Sequence, residues 1–185
     1  MLFRSYGDHR DLHLLGHSFP TQRSSDLSRD STLQLWLVLT GTRPEEEAEW
    51  QAGPVGPAAT ASLGASADTQ GQAVEGVVEQ ARRMAARGAD AVVLIDTLDG
   101  LPPHVAARAL GSARNLVEAG SLTVIATASQ PHGGETTVVA LDAAHARAGR
   151  FPAIDHEASW TMRAELLVGE SGAEAISRAR FESPQ

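Results

Sequence analysis

The 185-residue sequence has no cysteine and no lysine: all 15 of its positive residues are arginine. Without lysine there is no phosphate-loop lysine, no Schiff-base amine and no lysine general base in this polypeptide. Without cysteine there is no thiol nucleophile, no thiolate zinc site and no disulfide framework. Aromatic residues make up only 4% of the chain, and no apolar run approaches the roughly 18 residues needed to cross a bilayer. What remains describes one soluble domain, 42% hydrophobic and long enough to bury a core. The formal net charge of −8 argues against a surface built as a whole to hold nucleic-acid phosphates, although one basic groove is compatible with an acidic total.

The segment Met1 to Leu27 shows neither helical nor alternating apolar periodicity, and it lacks the apolar stretch of a signal peptide. Leu2 to Ser5 resembles the translation of a short sequencing-adapter string. Phe19 to Leu27 resembles the same string in a second frame, except at Gln22. Residues 1–27 are therefore expected to be adapter-derived and disordered, and a metal site built on His9, His13 and His17 is discounted. The segment holds three Arg and three Asp, so trimming it leaves the net charge unchanged.

From Leu33 the pattern becomes regular. Leu33 to Leu39 (LQLWLVL) reads as a buried strand ending in the turn Thr40-Gly41-Thr42, and Ala52 to Gly64 reads as a Gly/Pro/Ala loop. Ser66 or Asp68 caps a helix carrying Val74, Val77, Val78, Ala81, Met84 and Ala85 at helical spacing, closed by Gly88. Ala91 to Ile95 (AVVLI) has the continuous apolar character of a strand covered on both faces. Pro102 and Pro103 open a second helix, predicted to run through Ala113, Leu116 and Val117 to Gly120. Leu122 to Ala128 is a third strand, Thr137 to Leu141 a fourth and Ala164 to Val168 a fifth. Strand and helix in alternation predict an α/β fold with a parallel sheet. Residues 28–169 form its domain and 170–185 a polar C-terminal tail with some helical propensity.

In an open parallel sheet the working residues gather at the carboxyl ends of the strands. That directs attention to Asp96, Asp99, Thr127 and the turn from Thr40 to Arg43. A carboxylate at the tip of a buried strand can hold the water shell of a nucleotide-bound Mg²⁺; equally, Asp96 can cap the next loop. Asp96 with Asp99 could form a phosphatase-like metal pair, but the Gly-Leu-Pro-Pro that follows reads more simply as a turn into a helix. His104, His132, His145 and His156 are isolated along the chain and read as surface or loop residues.

Several blocks carry a resemblance. Asp90 to Asp96, Ala113-Arg114-Asn115, Glu118 to Ala128 with its core SLTVIATA, and Arg150 to Asp155 (RFPAID) follow one another as in the ATPase core of transcription termination factor Rho. Arg43-Pro44-Glu45-Glu46 falls where that family carries its own Arg-Pro-Glu-Glu. The resemblance runs collinearly from about Leu33 to Leu167. It implies a RecA-like P-loop NTPase core, partial here, from a cytoplasmic, homo-hexameric, ATP- and Mg²⁺-dependent helicase. Such a protein translocates on RNA and acts on RNA polymerase to end transcription. Residue by residue, it implies Asp96 as the Mg²⁺-organising aspartate, Phe151 as the aromatic stacked on adenine, Thr127 as a nucleotide-site residue, and Arg43 and Arg163 as catalytic arginines. Phe151 as core and Arg43 as a surface ion pair remain the plainer alternatives.

The departures from the family are as informative. The strand and loop that bind phosphate would lie upstream of Leu33 and are expected to be missing. The family's catalytic glutamate precedes the Arg of the Arg-Pro-Glu-Glu segment, and Thr42 stands there, unable to take a proton from an attacking water. The arginine finger follows a Ser-Gly-Thr triplet in the family; here Ser159-Trp160-Thr161 is followed by Met162, with Arg163 one place late. The lysine-bearing RNA loop is replaced by Gln130 to Glu135. These losses predict a Rho-like fragment that is not catalytic as it stands. The competing expectation is a non-catalytic RecA-like scaffold for ring assembly or protein contact. A flavodoxin-like hydrolase lacks a nucleophile or metal cluster to carry it.

Overall fold

A computed structural model of the chain describes residues 33–182 together with the backbone of residues 2–4. In chain order the elements are β1 (Leu2–Arg4), β2 (Leu33–Thr42), α1 (Pro44–Gln51), β3 (Ala59–Ser62), α2 (Ala67–Ala85), β4 (Asp90–Ile95) and α3 (Pro103–Gly111). There follow β5 (Arg114–Asn115), β6 (Ser121–Thr127), β7 (Thr137–Leu141), α4 (Ala143–Arg147), β8 (Ile154–Thr161) and α5 (Glu165–Glu182). One sheet runs in the order β3-β2-β4-β6-β1-β7-β8, with β5 paired to β6. Strands β3, β2, β4 and β6 are parallel. Because β1 is antiparallel to both β6 and β7, those two run the same way, and β8 closes the sheet antiparallel to β7.

The apolar runs of β2, β4 and β6 put alternate side chains on opposite faces. Val38, Val93, Ile95, Leu122, Val124 and Ala126 pack on one face under α2 and α3, against Val74, Val77, Ala81, Val105 and Leu110. Leu37, Leu39, Val92, Leu94 and Ile125 pack on the other, beneath Trp50 and Val55. A strand buried on both faces needs no alternation of polarity, which is why the AVVLI pattern was readable. Helix α2 starts where Ser66 Oγ accepts the Thr69 N–H at 3.2 Å, and beyond its end Gly88 takes a left-handed φ of 96°.

Four expectations are corrected. The second helix stops at Gly111 instead of Gly120: Ser112 Oγ turns back to the Ala109 carbonyl at 2.6 Å, and Arg114 and Asn115 pair with β6. Val117, assigned to its inner side, is 93% exposed. Ala164 to Val168 is not a strand; the final strand is β8, and Glu165 begins α5, which is interrupted at Gly169 with φ 73°. The loop from Ala52 to Gly64 contains β3, paired to the outer edge of β2. Last, Leu2–Arg4 forms a strand between β6 and β7, so the disorder expected of residues 1–27 does not hold at these three residues. Phe19 to Leu27 and His9, His13 and His17 lie outside the described residues.

Candidate functional site

The carboxyl ends of β2, β4 and β6 are tied by a chain of short-range hydrogen bonds. The Asp96 N–H donates to the Val38 carbonyl at 2.9 Å, and the Asp96 carbonyl accepts from Thr127 Oγ1 at 2.5 Å. Thr40 Oγ1 donates to the Thr97 carbonyl at 2.7 Å, and the Leu98 N–H donates to the Thr127 carbonyl at 2.9 Å. Beyond the strand, the Asp99 carboxylate accepts from the Ser129 N–H at 3.0 Å and from Ser129 Oγ at 2.9 Å. The loop after β4 is thereby fastened to the loop after β6. Asp96 has its backbone fixed from both sides while its carboxylate stands outside this network.

Burial holds the Asp96 carboxyl above the usual range, and the nearby Glu46 charge adds to the effect. Glu46 lies in the first turn of α1, where an acidic side chain is favoured by the helix dipole. Its Oε2 accepts the Arg43 N–H at 2.8 Å, which folds the carboxylate back over the tip of β2. Its neighbour Glu47 turns away to Gln51 and Thr60.

A test follows from this pairing. Because the folded pKa of Asp96 is raised, the folded state binds protons more readily than the unfolded state. Asp96 therefore destabilises the fold above its folded pKa, and the penalty fades as pH falls through that value toward the unfolded one. Glu46→Gln is expected to move the Asp96 titration toward lower pH, read by carboxyl NMR shifts. Asp96→Asn is expected to raise the melting temperature at neutral pH and to lose the advantage in acid.

Of the residues singled out from the sequence, Asp96, Thr127 and Arg43 come together at this edge. Thr127 is a brace, its hydroxyl committed to the Asp96 carbonyl. Arg43 sits exposed at the start of α1. Phe151 lies on the same edge, in the connection from β7 to β8 before the cis Phe151-Pro152 bond, and is 55% exposed rather than core. Three strand positions separate β4 from β7, about 14 Å at about 4.8 Å each, so Phe151, in the connection that follows β7, is not adjacent to Asp96 along the sheet. Arg163 is not brought to Asp96. It follows β8, whose far end lies beside the start of β7, and it pairs with Glu165. The Asp99 carboxylate is engaged by Ser129 through both of its oxygens, and no hydrogen bond ties it to Asp96. No group of three or more potential metal ligands occurs among the described residues.

Glu46 and Ser129 were not assigned roles from the sequence. An acid at the third position of a helix that begins with proline is a cap signal, so Glu46 was findable. Ser129 was not, because its partner is 30 residues away. Asp99→Ala removes the charged acceptor of these bonds. At about 1.5–3 kcal/mol for hydrogen bonds to an ionised group, it is expected to speed amide exchange at Ser129 by more than tenfold while leaving β4 protected.

No family model matches the chain. Among curated proteins it is similar to transcription termination factor Rho of Mycobacterium tuberculosis H37Rv, 30% identical over 172 residues that cover 72% of this chain and 28% of that protein. Rho of Streptosporangium roseum is 31% identical over 172 residues, covering 72% and 44%. Rho of Neisseria gonorrhoeae is 30% identical over 171 residues, covering 74% and 41%. The chain thus spans less than half the length of these relatives. Among solved structures it is similar to a prototypical ATPase from the type III secretion system of pathogenic bacteria, with a TM-score of 0.62 at 18% identity over 79% of this chain and 54% of that one. The assembled ATPase EscN of the enteropathogenic E. coli type III secretion system gives a TM-score of 0.63 at 18% identity, covering 80% and 45%. These two share the fold with this chain, and the Rho proteins match it at about 30% identity over the covered segment. The chain is accordingly similar in sequence to part of the transcription termination factor Rho proteins, and its fold is that of part of a RecA-like ATPase core.

Proposed function

We propose that this chain is a piece of a Rho-like, ATP-driven RNA translocase of transcription termination, and that as it stands it does not hydrolyse ATP. The observation that carries the first half is Asp96. It is an acid at the tip of a doubly buried strand, braced through its backbone by Val38 and Thr127, with its carboxylate outside the hydrogen-bond network. A hard oxygen donor in that place fits the water shell of Mg²⁺. Asp96 would hold the ion, and Phe151, exposed on the same edge, would offer a face to adenine. The phosphates find no such fit, because no lysine exists to reach them. Bound Mg²⁺ would supply charge stabilisation at the phosphates.

The second half rests on Thr42, which stands where the family has its proton acceptor and whose hydroxyl is a poor base. Arg163 would serve a neighbouring subunit, if any, since within its own chain it lies away from Asp96. Hexamer assembly and contact with RNA and RNA polymerase belong to the same reading. The alternative, a ring scaffold without catalysis, draws on Thr42 and on the Arg163–Glu165 pair, which engages the arginine locally.

The deciding experiment uses the complete gene product, with ATP affinity measured by a fluorescent analogue and hydrolysis measured with and without RNA. Mg²⁺-dependent binding with negligible turnover is the expected result. Robust RNA-stimulated hydrolysis overturns the non-catalytic half of the reading. Absence of nucleotide binding leaves the scaffold.

A further inference from the structure

The final strand is irregular. Its pairing with β7 passes from Trp160 opposite Val138 to Asp155 opposite Ala140, so His156–Ser159 bulge out against Val139 alone. The bulge is held by its own groups and by β7. Asp155 Oδ1 accepts the Glu157 and Ala158 N–H groups at 3.0 Å each, while Ser159 Oγ donates to the Asp155 carbonyl and accepts the Ala140 N–H at 2.9 Å. The carbonyls of His156 and Ser159 receive Arg180 from α5, whose Nη2 donates to them at 3.4 and 2.6 Å. Strand β8 is the last of the sheet, and the guanidinium caps acceptors that an edge strand otherwise offers to another chain.

Helix α5 reaches β8 by bending. Gly169 interrupts it at φ 73°, in the left-handed region, and just beyond the bend Gly172 lies against Val168, where an added Cβ would stand 2.9 Å from the Val168 Cβ. Past the bend the helix carries Gly172, Ala173, Ile176 and Arg180 at helical spacing, yet none of residues 170–181 is buried, and Ile176 is 40% exposed. Little packing therefore holds this part in place, and a helix so short has marginal stability alone in water. The chain has two arrangements available to it. Bent, α5 serves its own β8. Straight, with residue 169 helical, its 18 residues run about 27 Å in one direction and carry Arg180 away, while the bulge persists, because its staples do not involve α5.

We propose that the bulge of β8 is a docking site for the α5 helix of a second copy of this chain, the two copies exchanging their helices about Gly169. The receptor indicates its occupant: the paired carbonyls already hold a guanidinium, and each copy carries both the bulge and the Arg180 that fits it. The exchange is reciprocal, so it closes as a two-fold pair. Trp160 and Phe181, next in sequence to the two ends of the bond, are 39% and 93% exposed and give the pair apolar area to bury. The contact uses neither Asp96 nor Phe151, so it holds or fails separately from the nucleotide reading, and a two-fold pair is distinct from a six-membered ring.

The test is sedimentation velocity over a concentration series, on the whole chain and on Gly169→Ala. Alanine disfavours the left-handed bend and favours the straight helix, so the variant is expected to dimerise about tenfold or more tightly than the natural chain. Gly172→Ala, which crowds Val168, is expected to act in the same direction. Adding Arg180→Ala to Gly169→Ala is expected to return the monomer. The natural chain has no cysteine, so introduced ones report the geometry: a Glu157→Cys chain mixed with a Phe181→Cys chain, each also carrying Gly169→Ala, is expected to give mainly the mixed disulfide between chains. Retained protection of the Val92–Leu94 amides from exchange shows that each variant is folded. Folded Gly169→Ala and Gly172→Ala variants that both stay monomeric overturn the proposal. So do pairs that persist unchanged with Arg180→Ala, a mixed disulfide no more abundant than the self-disulfide of the Phe181→Cys chain, or assembly into rings alone.

Discussion

Gly120→Ala is expected to destabilise the domain by about 3 kcal/mol or more, at or beyond the upper end for overpacking. A Cβ at this position would stand 1.9 Å from the Ala89 carbonyl oxygen and 2.5 Å from its carbon. Both are backbone atoms, so no rotamer change relieves the clash. The surroundings are stitched as well: the Gly120 N–H donates to the Ala85 carbonyl at 2.9 Å, and its own carbonyl accepts from the Leu116 N–H at 3.1 Å. Moving Gly120 away would break the junction between the end of α2 and the start of β6. For a chain of this size each kcal/mol shifts the melting temperature by about 2–4 °C, so a drop of roughly 6–12 °C is expected in a thermal scan. Gly76→Ala is the control. It lies exposed within α2, nothing stands within 4 Å of its added Cβ, and the change should stabilise by about 0.5–1 kcal/mol. Equal effects at the two positions would refute the packing argument.

The parallel centre of the fold was legible because burial on both faces leaves the same mark on every strand. LQLWLVL, AVVLI and LTVIATA are apolar without alternation, and they became β2, β4 and β6. The two helices that cover one face were legible through periodicity, with the cap of the first narrowed to Ser66 or Asp68 and the structure choosing Ser66. What escaped was set by long-range pairing. Nothing local in Arg114-Asn115 says strand; the two residues pair only because Gly111 and Ser112 end the helix early and return the chain to β6. Strand β8 (IDHEASWT) is polar and half exposed at the sheet's edge, so it lacks the signal that marked its neighbours. The site divided the same way. Asp96, Thr127 and Arg43 follow from the rule that strand tips carry function, whereas Ser129 as the partner of Asp99 depends on how two loops meet. Arg163 shows the limit of motif spacing: its place after Ser159-Trp160-Thr161 and Met162 was readable, but its separation from Asp96 was decided by the antiparallel run of β8, which was not.

In the complete gene product, Thr42→Glu is expected to raise ATP turnover by about 10²-fold or more, the range a positioned general base contributes. Position 42 is the last residue of β2, immediately before Arg43, whose N–H is held by Glu46. Thr42 is 4% exposed. A carboxylate placed there is partly desolvated and stands near Asp96 and Glu46, and both effects push its pKa upward, toward the pH at which a base works best. The same crowding is expected to lower stability and to make the variant more dependent on Mg²⁺, which would relieve the repulsion among the three acids. Steady-state hydrolysis with and without RNA reads the gain, and a thermal scan with and without Mg²⁺ reads the crowding. Nucleotide binding without a gain in turnover would place the limiting defect elsewhere, and Arg163, held by Glu165, is then the next residue to free with Glu165→Gln. A gain with Thr42→Glu alone would mean that one side chain at the tip of β2 separates this relative from an active ATPase.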